Sequence, residues 1–249
     1  MISAKCKPFQ NILIHEYRSV KRHSNIERKP EMGDDSKQYH HLRRDYQAAQ
    51  LDSDHLADDP IEQFQEWFDE ALQENMSDPN AMTLATADEE GRPSARIVLL
   101  KSVEQGCFSF YTNYNSRKGQ ELIANPHASL VFFWPQHERQ IRIEGIAEKL
   151  SSRASDEYFL KRPRNSQIGA IASPQSQIIR SREELENKVK EVEEEFANED
   201  HLPRPEHWGG FLVMPYRIEF WQGRESRLHD RIEYSLEKNE SWRKVRLAP

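Results

Sequence analysis

Residues 221–231 read WQGRESRLHDR, which sets three arginines and one histidine within eleven positions of Trp221. Arginine presents a planar fork of donors that matches carboxylate or phosphate, and histidine can hold or release a proton near neutral pH. The segment can therefore bind an anion and handle a proton beside an aromatic ring. Strand alternation predicts Arg227, His229 and Arg231 on one face, opposite Leu228, Asp230 and Ile232.

Two more stretches repeat the pattern. In ARIVLLK, Arg96, Val98 and Leu100 share one face, and Ile97, Leu99 and Lys101 the other. In RQIRIEG, Gln140, Arg142 and Glu144 lie opposite Ile141 and Ile143. An amphipathic strand showing its polar side to water gives the same alternation. Three such strands in one sheet point instead to a shared polar site.

NSRKGQEL places Ser116, Arg117 and Lys118 where a strand gives way to a helix. Unpaired backbone N–H groups, a hydroxyl and two cations at such a junction make a phosphate cradle. Further on, a helix opening near Ser152 would put Tyr158 and Arg162 four residues apart on one face, with Pro163 ending or kinking it and Ser166 in the next turn. These groups form a second set suited to phosphate. In IASPQSQ, Gln175 and Ser176 could bond the edge of a heterocycle, but alone they mark only a loop.

The elements around these residues are mostly short strands. DDPIEQFQEWFDEALQEN predicts a first helix, capped by Asp58 or Asp59, with Pro60 in its first turn and a stripe of Ile61, Phe64, Trp67, Phe68 and Leu72. AMTLATA and SARIVLLK flank the turn DEEGRP; CFSFYTN, ASLVFFW and RQIRIEGIAEKL add three strands, with a short helix in SRKGQELIANP. Local connections between five short strands predict an antiparallel barrel or strongly curled sheet. A charged helix over about 181–198 is expected to be solvated, and strands return in GGFLVMPYRIEFWQG, RLHDRIEYSL and WRKVRLAP.

The chain has 249 residues, 42 acids against 35 bases, and a formal charge of -7. With a pI near 5.8 and an acidic 183–200 segment, it lacks the basic footprint of a general nucleic-acid binder. Its bases are local and are expected to serve local anions. No apolar run approaches the roughly 18 residues of a membrane span. Cys6 and Cys107 are far apart with no CxxC spacing, so neither a disulfide framework nor a metal site is expected, and a cytoplasmic setting is the default. Residues 1–40 show no sustained period and are expected to be a disordered N-terminal extension, Met32 being a candidate start.

In series, LRRDY, ARIVLLK, FYTNYNSRKGQEL, RQIRIEG, YFLKRPRNSQIGA, SPQSQ, HWGGF, EFWQGRESRLHDRI and the terminal RLAP closely resemble the pyridoxine (pyridoxamine) 5′-phosphate oxidase family. The resemblance runs over residues 41–249. It implies an α+β, mainly β fold, an FMN-binding split β-barrel with flanking helices, working as a homodimer with each active site built from both subunits. It further implies that Arg96, Ile97, Val98 and Leu99 line the flavin. Tyr111, Thr112, Arg117 and Lys118 would hold the FMN phosphate and ribityl chain, and Gln140, Gln175, Ser176, Trp221 and Arg231 would complete that site.

For the substrate, Lys101, Tyr158, Arg162 and Ser166 would bind the 5′-phosphate. Arg227, Leu228 and His229 would lie at the pyridine ring, with Arg227 and His229 nearest the chemistry. Arg43 and Tyr46 would belong to a segment closing over it. The implied reaction moves hydride from C4′ of pyridoxine or pyridoxamine 5′-phosphate to flavin N5, and O2 then reoxidises the flavin to give hydrogen peroxide. A rival keeps the fold but only binds FMN or pyridoxal phosphate; the joint presence of flavin-side and substrate-side residues counts against it. A nucleic-acid module built on FYTNY and FWQGR is opposed by the charge.

Overall fold

The computed structural model describes residues 45, 46, 49–74 and 76–249. The expectations for residues 1–40 and for Arg43 lie outside the described residues.

Helix α1 (Pro60–Gln73) begins as its sequence dictates: the Asp59 side chain accepts the Ile61 N–H, and Pro60 stands at the first position. Its buried face carries Phe64, Trp67 and Ala71, while Leu72 is half exposed. The predicted stripe is thus corrected at its end, because a 3.6-residue turn keeps position 71, not 72, in line with 64 and 67. Phe64 meets Phe108 and Phe132 edge-on, and Trp67 meets Phe220, so the helix plugs the inside of the sheet.

That sheet runs through β1 (Ala81–Ala87), β2 (Pro93–Leu99), β3 (Ser102–Glu104), β4 (Cys107–Asn113), helix α2 (Arg117–Ala124), β5 (His127–Trp134) and β6 (Arg139–Lys149). Helices α3 (Ser152–Lys161), α4 (Arg164–Ala172) and α5 (Arg182–Glu195) follow, then β7 (Trp208–Gln222), β8 (Asp230–Leu236) and β9 (Trp242–Leu247). The described residues form a nine-stranded antiparallel sheet in the order β2-β1-β5-β6-β7-β4-β3, with β8 and β9 branching from β7. The 15-residue β7 lies along β6 from Phe211 to Gln222, and on its other side pairs with β4 through its first half and β8 through its second. The backbone N–H of Lys101 bonds the Ser109 carbonyl at 2.9 Å, closing the curl between the end of β2 and β4. Opposite Glu144 and Gly145 the register skips Tyr216, a bulge that bends β7.

The alternation predicted for β2 and β6 holds. Arg96 and Val98 turn inward while Ile97 and Leu99 are exposed, and Ile141 and Ile143 are buried opposite Gln140, Arg142 and Glu144. Helix α5 buries no residue, as expected of a solvated helix. Helix α4 was not anticipated. Pro163 ends α3 and stands at the N-cap of α4, so one proline serves both. Among the described residues no helix is long and apolar enough to cross a membrane.

Candidate active site

The predicted residues gather in two places. The larger is a cavity of about 900 Å³ between the rim of β2 and β4 and the helices α3 and α4. It brings together Arg96, Ile97, Val98, Leu99, Lys101, Tyr111, Thr112, Lys118, Tyr158, Arg162, Ser166 and Gln175, residues separated by up to 79 positions in sequence. Among the described residues no carboxylate lines it. Sequence reasoning missed Lys161 and Trp208, which also line it. Lys161 could have been noticed beside Arg162; Trp208 lies in the HWGGF motif of the resemblance but was given no role.

Sequence and geometry connect directly at the cavity wall. Tyr111 on β4 stands opposite Gly210 on β7. A Cβ at Gly210 would collide with the Leu150 side chain and come within 2.9 Å of the Tyr111 ring, so the glycine leaves the space into which the tyrosine lies. Tyr111 then stacks on Tyr158 at 3.8 Å and on Trp208 at 5.5 Å. Burial, with Tyr158 beside it, pushes the Tyr111 hydroxyl up to about 12. The Arg162 guanidinium lies over Trp208, and burial lowers its pKa from the ordinary value.

At the start of α2 the predicted cradle is divided. Lys118 Nζ donates to Thr112 Oγ1 at 3.2 Å and to Gln175 Oε1 at 3.3 Å, a preformed cationic cluster on the cavity wall. Burial lowers its pKa, and nearby Arg96 adds to that. Ser116 caps the helix through Gly119 N and donates to Asn113 O, so its hydroxyl is committed locally. Arg117 does not line the cavity. It points instead to Glu121, one turn along, at 2.8 Å. Ser176 also lies off the cavity, at a φ of 70° in the turn that presents Gln175.

Two expectations are corrected here. Helix α3 stops at Lys161 and Arg162 is extended, so Arg162 shares the cavity with Tyr158 through the chain reversal at Pro163, not through a common helical face. Strand β8 starts only at Asp230. Ser226 and Arg227 have φ of 54° and 61°, and this left-handed turn breaks the alternation predicted for Arg227, His229 and Arg231.

The second group sits at the far end of β7. The register aligns Gln140, Trp221 and Arg231 in a row across β6, β7 and β8. Arg231 grips the buried Glu219 through two bonds of 2.9 and 3.0 Å and reaches the Ala248 carbonyl at 2.9 Å, tying down the C-terminus. Arg142 meets the same carboxylate at 2.9 Å. His229 lies 4.6 Å from Trp221 and 5.7 Å from Tyr46, ring centre to centre. Its Nδ1 accepts the Arg224 backbone N–H, which in the neutral ring puts the proton on Nε2. Burial, then the Arg227 charge, lowers its pKa below the ordinary 6.5. Tyr46 and Leu228 line a cleft of about 770 Å³ beside it, with Arg224 and Ser226.

Tyr111, through its cross-strand partner Gly210, and Trp221 mark opposite ends of β7. Gly210 and Trp221 are eleven residues apart, on the order of 35 Å along an extended strand. Within one chain the two groups are therefore separate.

A curled antiparallel sheet with a cation-lined cavity at its rim defines a split barrel. Residues 68–196 match the family model described as pyridoxamine 5′-phosphate oxidase, and residues 208–249 match the pyridoxine 5′-phosphate oxidase C-terminal dimerisation region. The chain belongs to the pyridoxamine 5′-phosphate oxidase family. It is 55% identical over 209 residues to the pyridoxine/pyridoxamine 5′-phosphate oxidase of Salinibacter ruber, covering 84% of this chain and 97% of that one. Among solved structures, PhzG from Burkholderia lata, in complex with tetrahydrophenazine-1-carboxylic acid, matches with a TM-score of 0.74 and 32% identity, covering 79% of this chain and 95% of that one. A pyridoxamine 5′-phosphate oxidase-related, FMN binding protein from Nostoc punctiforme shares the fold at a TM-score of 0.63 and 17% identity, over 75% of this chain and 97% of that one.

Proposed function

We propose that this chain oxidises pyridoxine 5′-phosphate and pyridoxamine 5′-phosphate to pyridoxal 5′-phosphate with FMN and O2, releasing hydrogen peroxide, and ammonia from the amine. The observation that carries this reading is the cavity: Arg96, Lys101, Lys118 and Arg162 converge on one space with no acid among the described residues that line it. A phosphate monoester brings close to two negative charges at pH 7, and FMN and the substrate each carry one. Arg162 supports the fit, because its Nη1 is buried with no acceptor among the described residues.

In this reading the split barrel of residues 41–249 is one oxidase domain. Arg96, Ile97, Val98 and Leu99 run along the flavin, the edge strand β2 offering backbone groups as well as side chains. Tyr111, Thr112, Lys118 and Gln175 hold its phosphate and ribityl chain, with Arg117 and Ser176 at the margin. Lys101, Tyr158, Arg162 and Ser166 take the substrate phosphate.

Gln140, Trp221, Arg227, Leu228, His229 and Arg231 come from the partner subunit of a homodimer. The separation along β7 supports this, as do Ile97, Leu99 and Phe133, exposed at 64%, 41% and 52% on the outer face of the sheet. Tyr46, packed on Trp221 and His229, covers the substrate.

FMN, when bound, supplies the acceptor that takes hydrogen from the substrate C4′ and passes electrons to O2. The chain's own contribution is positioning. Lys101 and Arg162 convert phosphate affinity into a fixed place for C4′. His229, neutral and protonated at Nε2, donates to the C4′ substituent, and Arg227 supplies a fixed positive charge beside it.

The test is aerobic turnover of pyridoxine 5′-phosphate by the purified chain with FMN, following aldehyde and peroxide together. Equal appearance of both is expected. Retention of FMN with neither product would leave a binding protein and overturn the oxidase reading.

A further inference from the structure

We infer that Glu121 is a positioning residue for flavin binding: its buried carboxylate orients two hydroxyl groups so that both accept from Arg96, fixing that cation at the cavity wall. The inference rests on the reading that this cavity takes FMN. Glu121 is 6% exposed and sits beneath the β1–β2 hairpin, outside the cavity lining. Its Oε2 accepts from Thr86 Oγ1 at 2.5 Å and from Ser94 Oγ at 2.6 Å, and its Oε1 accepts from Arg117 Nε at 2.8 Å.

A hydroxyl has one proton to give. An ionised carboxylate has none, so it takes the protons of both Thr86 and Ser94 and leaves their lone pairs for a donor. Arg96 is that donor. Its Nη1 bonds Thr86 Oγ1 at 2.6 Å and the Leu84 carbonyl at 3.2 Å; its Nη2 bonds Ser94 Oγ and lies 3.4 Å from Glu121 Oε2. Among the described residues the bonds of the two terminal nitrogens thus run to this network and to the Leu84 carbonyl, and they hold Arg96 where it lines the cavity. The same carboxylate draws Arg117 down against α2, so one acid fixes the direction of two cations. A glutamine at this position loses the negative charge, and it can keep its oxygen on both hydroxyls only by turning its amide N–H2 against the Arg117 Nε donor; the opposite orientation reverses a hydroxyl and removes an acceptor from Arg96.

The experiment measures FMN affinity by quenching of flavin fluorescence, on full-length wild type and variants, at a temperature where each apoprotein is folded by circular dichroism. Glu121→Gln should weaken FMN about tenfold or more, the scale of a lost charge-assisted contact. In an Arg96→Met background the same substitution should have almost no further effect, because its route of action is gone. If Glu121→Gln binds as wild type does, or if its effect adds in full to that of Arg96→Met, the inference is overturned. Should Glu121→Gln fail to fold, Thr86→Val with Ser94→Ala removes both relay hydroxyls and keeps the acid; unchanged affinity in that pair overturns the inference equally. A wild type that binds no FMN defeats the proposed function itself, which separates the two failures.

Discussion

The Arg162 guanidinium lies 4.5 Å from the centre of the Trp208 ring, at the end of an aromatic stack formed by Tyr111, Tyr158 and Trp208. The ring faces attract the cation while contributing no hydrogen-bond acceptor. Its Nη1 is buried and finds no acceptor among the described residues. Holding such a donor unpaired costs about 1–3 kcal/mol, which an arriving anion recovers.

Replacing Arg162 with methionine should therefore raise the KM for pyridoxine 5′-phosphate roughly tenfold to a hundredfold. FMN affinity should be unchanged, and the apoprotein should melt no lower than wild type, since an unsatisfied group has been removed. Steady-state kinetics, flavin titration and a thermal melt read the three quantities. A loss of flavin as large as the loss of substrate would contradict the assignment.

Arg227 and Arg231 are four residues apart, yet their surroundings differ. Arg227 is exposed in a turn, whereas Arg231 is locked to Glu219 and Ala248. Arg227→Ala should weaken substrate handling while the purified protein stays yellow. Arg231→Ala should lose flavin on gel filtration. It should also melt lower, because Arg142 remains as the only arginine within reach of the buried Glu219 among the described residues. Equal flavin content in the two variants would remove this distinction.

His229 titrates below its ordinary 6.5, through burial and then the charge of Arg227. The native state thus holds fewer protons than the unfolded chain, and this contribution to stability is present above pH 6.5 and is lost as the pH falls. If neutral His229 serves the reaction, kcat/KM should fall on the acid side with an apparent pKa below 6.5. Arg227→Gln should shift the His229 ring titration upward, as followed by NMR in the apoprotein. A downward shift would contradict the assigned cause.

Burial raises the pKa of Glu121, but hydrogen bonds from Ser94, Thr86 and Arg117 outweigh it and hold the group at about 2, below its reference value of 4.5. Its stabilising effect is complete above pH 4.5 and fades as pH falls toward 2. The urea midpoint of wild type should exceed that of Glu121→Gln at neutral pH, and the gap should narrow through this window. A gap constant with pH would mean that the charge has no part in it.

Local pattern carried much of this structure and stopped at identifiable points. Alternation placed Arg96 and Arg142 correctly because β2 and β6 each have one packed face, which a period of two records directly. It failed at Arg227 because the reversal there uses Ser226 and Arg227 in left-handed conformations, with no glycine or proline to announce it. Arg162 was assigned to a helix that Pro163 shortens by one residue. Glu121 and Glu219 were passed over for a different reason. Acidic residues are abundant in the chain, and which of them become buried depends on strands that meet only in the folded sheet. Glu121 did have a trace in sequence, the four-residue spacing from Arg117. The division of the site into two groups was visible only from the length of β7.

That length couples two equilibria. If one flavin needs Tyr111 from one copy and Trp221 from another, then free flavin pulls protein copies together, and their separation releases flavin to the same degree. The flavin dissociation constant becomes a function of protein concentration. Dilution at fixed free FMN should bleach the protein, and adding FMN should restore both the colour and the larger hydrodynamic radius. An interface substitution such as Phe133→Asp should then behave as a cofactor-binding defect, although Phe133 lines neither the cavity nor the cleft.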